Sequence, residues 1–381
     1  MQTIYFDYNA TTPLDSAVKA AMQPFFDELW GNPSSVHHVG QHARSLLDQA
    51  RDRVALVWRA KPSEVVFTSG GTESNNLAIF GTARHLRDKG RHLITSQIEH
   101  HAVLHCFQYL EKHEDFKVTY LPVSSEGIIS PTDLANAIRP ETTLVSLMAA
   151  NNETGSVQPI AELGKTCRDK GVIFHTDAVQ WFGKEPFESI DQFNADLVSV
   201  CAHKFYGPKG AGALFIRSPL LPDPILFGGG HENERRAGTE NLPAIIGFAE
   251  ATERFIKSPV FDANKLSVLS NQLISFVDSL EGVTFRGSRT SRLSNTLAFT
   301  VDRSDSIALL AGLDMEGVCA SSGSACSAGS LEPSHVMLAL GLDKRIANSL
   351  VRFSLGRNST IPEVEAVKKI LPLVINRVRS N

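Results

Sequence analysis

Ala195-Asp-Leu-Val-Ser-Val-Cys-Ala-His-Lys-Phe-Tyr-Gly-Pro-Lys-Gly-Ala-Gly-Ala-Leu-Phe-Ile-Arg217 reads as two apolar strands joined by a tight turn, with His203 and Lys204 where the first strand ends. The flanks are too apolar for a solvated run of charge. A lysine held there loses water around its ammonium, and its pKa falls from about 10.4 toward neutrality, which suits a Schiff-base amine. Position alone also fits a lysine that snorkels to the surface or pairs with an acid. The rest of the chain must decide between these.

Upstream, the pattern alternates. Strands are expected over residues 64–69, 92–96, 117–121, 143–148 and 172–176, with helices over 102–112, 131–138 and 160–170. Strands separated by helices at such intervals indicate βαβ units and a mostly parallel sheet covered on both faces. Ligands of such sheets gather beyond the carboxyl ends of the strands. Here those ends carry His100, Asn151-Asn152, Asp177, Gln180 and His203-Lys204. Asp177 closes the apolar strand Gly171-Val-Ile-Phe-His-Thr-Asp177, where a carboxylate is costly to desolvate unless it meets a cation or a donor; a pyridinium nitrogen would serve. His100 also fits a helix-capping or surface histidine. After the strand at 64–69 comes Gly70-Gly-Thr-Glu-Ser-Asn-Asn76, whose free N–H groups and helix start suit a phosphate. The same residues fit a tight turn with Thr72 as helix cap.

At the N-terminal end a short strand (4–8) and the turn Asn9-Ala-Thr-Thr-Pro13 lead into expected helices over 15–26 and 41–59. Downstream of Arg217, Phe227-Gly-Gly-Gly-His-Glu-Asn-Glu-Arg-Arg-Ala-Gly-Thr-Glu-Asn241 is a long polar loop of the kind that is functional or disordered. A helix over 243–256 and a hinge at 257–262 follow. The remainder reads as α+β, with helices over 266–280, 306–313 and 362–379 and strands over 294–301 and 349–354. We therefore expect a large α/β domain over 13–257, and a smaller domain made of 1–12 and 258–381 that carries the loop around Cys326. Small residues on both sides of Cys326 predict an accessible thiol, whereas Cys319, nearer an apolar strand, reads as a buried filler.

Composition excludes several classes of function. The 381 residues can bury a substantial core. A net charge of −4 with no basic block argues against a direct nucleic-acid or membrane-surface role, and no apolar run is long enough to span a bilayer. The start, Met1-Gln-Thr-Ile-Tyr-Phe-Asp-Tyr8, has an acid inside its apolar run and no cationic beginning, unlike a signal peptide. Five cysteines without a CxxC pair fit a reducing, cytoplasmic setting. The thirteen histidines include no HExxH and no combined Cys/His ligand spacing, so no metal site is expected.

Together, Gly70-Gly-Thr-Glu-Ser-Asn-Asn76, Glu99-His100, Asn151-Asn-Glu-Thr-Gly155, His175-Thr-Asp-Ala-Val-Gln180, Ala202-His-Lys-Phe-Tyr-Gly-Pro-Lys-Gly210, Arg236-Ala-Gly-Thr-Glu-Asn241, Ser321-Ser-Gly-Ser-Ala-Cys326 and Arg352-Phe-Ser-Leu-Gly356 resemble, in order and over nearly the whole chain, the cysteine desulfurases of the class V aminotransferase group. The short segment before Cys326 resembles their NifS/IscS branch. This resemblance implies a fold-type I pyridoxal 5′-phosphate (PLP) enzyme acting on L-cysteine as a homodimer. Lys204 is implied to be the Schiff-base lysine, Asp177 the partner of the pyridinium nitrogen, and His100 a ring-stacking group that assists proton transfers. Gln180 is implied to meet the ring oxygen, Asn152 to lie between that oxygen and the substrate carboxylate, and Arg352 to clamp the carboxylate. Gly71, Thr72 and His203 are implied at the phosphate, joined by Thr239 across a dimer interface. Cys326 is implied to accept sulfur as a persulfide and to pass it to an acceptor protein, for iron–sulfur assembly or for tRNA or DNA thio-modification.

Two departures stand out. Cys201 occupies a position where the branch commonly has a phosphate-binding serine, and a thiol is a weaker donor. The sequence also ends soon after its last helix, where housekeeping members continue into an extension that docks the iron–sulfur scaffold. Rival readings are a selenocysteine lyase or small-substrate aminotransferase of the same fold, and a non-catalytic PLP-bound scaffold.

Overall fold

The computed structural model describes residues 3–323 and 332–379. Its strands, in chain order, are β1 (Ile4–Tyr5), β2 (Val65–Thr68), β3 (His92–Ser96), β4 (Lys117–Leu121), β5 (Thr142–Ser146), β6 (Ile173–Asp177), β7 (Leu197–Cys201), β8 (Gly212–Ile216), β9 (Val283–Arg286), β10 (Thr296–Val301), β11 (Val318–Cys319) and β12 (Leu350–Ser354). Seven of them form one sheet in the order β2-β8-β7-β6-β5-β3-β4. Neighbours from β4 through β7 run parallel, and β8 runs antiparallel to both β7 and β2. Every residue of β2, β3, β5, β7 and β8 is buried. Such uninterrupted burial requires helices on both faces. One face packs on the helices His38–Trp58, Ile160–Asp169 and Leu242–Phe255, and the other on the helices starting at Gly71 and His101.

A second apolar core surrounds the antiparallel sheet β12-β10-β9 and the helices Ala263–Asp278, Ser306–Met315 and Ile361–Arg379. Ile4, Phe6 and Tyr8 belong to this core, and β1 pairs in parallel with β11. The chain therefore begins in the second core and crosses to the large sheet at Asn9–Thr12, where Thr12 N donates to His203 O.

Several elements depart from the sequence reading. The expected helix over 15–26 is two, Ser16–Met22 and Pro24–Asp27, because Pro24 brings no N–H to the helical ladder. The connection between β7 and β8 spans residues 202–211 and is no tight turn. It opens with a single 3-10 turn, Ala202–Lys204, so Lys204 stands beyond the strand. Thr72 does not cap its helix, which begins at Gly71 with Gly70 as N-cap. Cys319 is half-buried, at the margin of the second core. Strand β9 and the short helices His335–Ala339 and Lys344–Ala347 are additional to the sequence reading.

Gly212 fixes how closely these parts meet. It pairs with Cys201 on one side and Thr68 on the other. A Cβ there would lie 2.7 Å from both Gly70 Cα and Val200 O. Backbone on two sides cannot give way cheaply, so Gly212→Ala should lower the unfolding free energy by about 1–3 kcal/mol. Urea denaturation checks this; an unchanged midpoint would mean that the Gly70 turn yields freely.

Candidate active site

The large sheet reverses its strand order between β3 and β5, since the chain leaves β3 for β4 on one side and returns as β5 on the other. A crevice at the carboxyl ends of the strands follows from that reversal. A cavity of about 190 Å³ lies there. His100 follows β3, Asn152 follows β5, Asp177 ends β6, and Cys201, His203 and Lys204 stand at and beyond the end of β7; all line the cavity. Gly71, Thr72, Gln180 and Arg352 line it too. Thr239 does not: it borders a separate depression with Ser69 and Arg236. Cys326 lies outside the described residues.

The side chains are held by short hydrogen bonds, each at least partly buried. Lys204 Nζ donates to the carbonyls of Asn9 and Ala10, both at 2.7 Å. Asp177 is 5% exposed; its Oδ1 accepts from Val179 N at 3.0 Å and its Oδ2 from Asn75 Nδ2 at 2.7 Å. His100 both caps its helix and lines the cavity, its Nδ1 accepting from Ala102 N at 3.1 Å. Arg352 is 1% exposed on β12. Its Nη1 donates to Asn152 O at 2.7 Å and its Nη2 pairs with Asp7 Oδ1 at 2.6 Å. Arg352 Nε has no hydrogen-bond partner among the described residues. At Gly71 a Cβ would lie 2.7 Å from Val179 Cγ2, so a larger residue there would have to displace that side chain.

Sequence reasoning overlooked the residues that support these groups. Asn9 was read only as part of a turn, yet its carbonyl accepts from both Lys204 and Gln180 and its side chain reaches Asn152 O and Thr296 Oγ1. Asp7, Asn75 and Lys184 were also overlooked. Lys184 had a readable signal, a lone lysine in the apolar run Val179-Gln-Trp-Phe-Gly-Lys184. Asp7 had the same kind of signal, an acid inside the apolar run Ile4-Tyr-Phe-Asp-Tyr8, whereas Asn75 had none, because its partner lies far away in sequence.

The electrostatics suit a cationic, anion-bearing guest. Burial raises the Asp177 pKa, opposed by the bonds from Val179 and Asn75 and by the charge of Lys204. A protonated ring nitrogen beside this carboxylate would supply the compensation that two neutral donors do not. Burial, then Lys204, hold His100 down at about 4, and the same causes hold His203 at about 3. Both rings are neutral at pH 7. Burial raises the Cys201 thiol, which stays protonated beside the glycine turn. The donor set therefore fits PLP: an acid for the ring nitrogen, a primary amine for the carbonyl, and a glycine turn with Thr72 and His203 for the phosphate. His175, fully buried between Ser146 and Ser199, is likewise pushed to about 3 by burial. Histidines whose folded pKa lies below the unfolded value of about 6.5 take up protons on unfolding. Their contribution is complete above about pH 6.5 and lost as pH falls toward the folded pKa. Stability measured by urea unfolding should thus fall more steeply from pH 6.5 to 5 in the wild type than in His175→Gln; equal slopes would contradict the assignment.

Residues 4–367 match the family model described as aminotransferase class-V. The chain is 45% identical to the cysteine desulfurase IscS of Dictyoglomus turgidum (strain DSM 6724 / Z-1310) over 99% of this chain and 95% of that protein. It is 44% identical to the cysteine desulfurase IscS of Methanosarcina thermophila over 100% and 93%. A solved NifS-like protein superposes with a TM-score of 0.90 at 35% identity, covering 100% of both chains. Sequence likeness and fold agree over the whole length, and the chain belongs to the aminotransferase class-V family, within it to the NifS/IscS-like cysteine desulfurases, which depend on PLP.

Proposed function

We propose that the protein converts L-cysteine to L-alanine and carries the released sulfur as a persulfide on Cys326. The observation that supports this most is the convergence of Lys204, Asp177, His100 and Arg352 on one cavity, in a chain that matches cysteine desulfurases end to end. PLP, when bound, supplies an electron sink for the Cα–H and C–S bonds of the substrate. Lys204 would hold the cofactor covalently, and before it does so the carbonyls of Asn9 and Ala10 place its Nζ. Asp177 keeps the ring nitrogen protonated. Gly71, Thr72 and His203 receive the phosphate, and Cys201 closes the same end with a weak donor.

Arg352 receives the substrate carboxylate. Its Nη1 donates to Asn152 O and its Nη2 to Asp7 Oδ1, and each of the two nitrogens keeps a second N–H for a planar anion. His100 holds its proton at Nε2, because Nδ1 is committed to Ala102 N, so the ring meets the reacting groups as a donor. Cys326, as thiolate, attacks the cysteine sulfur. The carbon–sulfur bond breaks as the sulfur–sulfur bond forms, its electron pair stays with the carbon, and that carbon takes up one proton, equal to the one the Cys326 thiol gave up, to become the methyl group of alanine. Cysteine plus enzyme thiol thus become alanine plus enzyme persulfide, with atoms balanced.

Residues 13–257 form the cofactor-binding domain in this reading, and 1–12 with 258–381 the smaller one. The two apolar cores support that division, with Ile4, Phe6 and Tyr8 in the second. The protein works as a homodimer, with Thr239 reaching the partner's phosphate. Exposed Trp30 (72%), Val36 (87%) and Phe227 (86%) support a covered face, and Ser34 to His231 at 3.2 Å joins the two loops that carry them. Free thiols at Cys106, Cys167, Cys201 and Cys319 fit a cytoplasmic setting, and among the described residues no helix is long and apolar enough to cross a membrane. The sulfur goes to an acceptor protein for iron–sulfur cluster assembly or nucleic-acid thio-modification; likeness to the IscS-type enzymes favours the first.

Two measurements test this reading. Cys326→Ala should keep the visible absorbance of the cofactor while alanine formation from L-cysteine drops by on the order of 10³-fold or more; an undiminished rate would remove Cys326 from the reaction. Phe227→Asp should shift sedimentation from dimer toward monomer, and an unchanged dimer would place the interface elsewhere.

A further inference from the structure

Lys184 is 1% exposed, and nothing in the reaction above uses it. Its Nζ donates to Gln180 Oε1 at 2.5 Å and to Asn9 Oδ1 at 2.7 Å, and lies 5.2 Å from the centre of the Phe261 ring. Gln180 Nε2 donates in turn to Asn9 O at 3.0 Å, and Gln180 lines the cavity. An amide side chain has one accepting end and one donating end, and nothing in its shape tells them apart. A lysine nitrogen can only donate.

We infer that Lys184 is a positioning residue that fixes which end of the Gln180 amide faces the cavity. The inference rests on the proposed PLP reaction and deepens it. With Oε1 drawn to Lys184, Nε2 points toward Asn9 O and has a second hydrogen to offer the cofactor's ring oxygen, an acceptor. The flipped amide would set its carbonyl oxygen against that acceptor. Burial first, then Lys204 and Arg352, hold the Lys184 amine well below its ordinary pKa, with Glu185 opposing them. Charged or neutral, the amine keeps at least two N–H bonds, so the two contacts survive in either state. Asn9 Oδ1 has a second donor, Asn295 Nδ2 at 3.1 Å, whereas among the described residues Gln180 Oε1 receives Lys184 alone. Loss of Lys184 is therefore felt first at Gln180.

The test uses the PLP-loaded protein with three variants: Lys184→Met, close in volume but without a donor, Gln180→Leu, and the double variant. Lys184→Met should retain the cofactor, displace its visible band in the same direction as Gln180→Leu, and lower kcat/KM about tenfold, the size expected for one lost hydrogen bond. The double variant should match Gln180→Leu in both band and rate, because Lys184 acts only through that amide. A displaced band in Gln180→Leu with an unmoved band in Lys184→Met overturns the inference alone. So does a double variant that loses more than Gln180→Leu, which would mark a general packing role. An unmoved band in Gln180→Leu overturns the inference together with the ring-oxygen assignment. Lys184→Leu, likewise without a donor, carries the same comparison if the Met protein does not fold.

Discussion

Asn9 saturates its hydrogen-bonding capacity in the middle of the protein, and the cavity is built around that saturation. Its N–H goes to Ser354 Oγ, its carbonyl takes Lys204 and Gln180, its Oδ1 takes Lys184 and Asn295, and its Nδ2 gives to Thr296 and Asn152. A buried amide left with open positions would cost more than its bonds contribute, so all of these partners are constrained at once. Asn9 sits where the chain crosses from the second core to the large sheet. Two bodies of side chains are thereby set in register by one residue, and the groups that act on cofactor and substrate come from both.

Charge follows the same economy. Arg352 would be intolerable at 1% exposure without Asp7, and Asp177 is held by two neutral donors and the field of Lys204. Each buried ion is compensated short of completeness, and the remainder is available to a ligand. Glu99 beside His100 is the opposite case. Burial pushes its carboxyl up to about 8, so at neutral pH it is uncharged, its Oε1 receiving Ser96 Oγ and Met148 N.

The alternation of strand and helix, the carboxyl-end location of the site and most of its members were legible, because apolar periodicity and short motifs are local signals. His100 met both of its readings, capping a helix and facing the cavity, since one ring has two nitrogens. Lys204 was legible as an odd lysine, but the turn that presents it was misjudged: Tyr206 at φ 64° and the 3-10 turn before it depend on Thr12, almost two hundred positions away in the chain, receiving Tyr206 N. Thr72 as helix cap failed because Gly70, at φ 153°, takes the cap position.

By itself, the sequence determined the fold class and the chemical identity of the site. Strand periodicity is written in neighbouring residues, and a primary amine, a carboxylate and a guanidinium keep their chemistry wherever they lie. Only the tertiary structure decided how those groups are compensated and aimed: Asp7 against Arg352, Asn75 against Asp177, Asn9 and Lys184 against Gln180 and Lys204. Those pairings join residues from about one hundred to more than three hundred positions apart, except Lys184 and Gln180. Desolvation makes them obligatory once the chain has folded, but the spacing of residues along the chain carries no trace of who will meet whom.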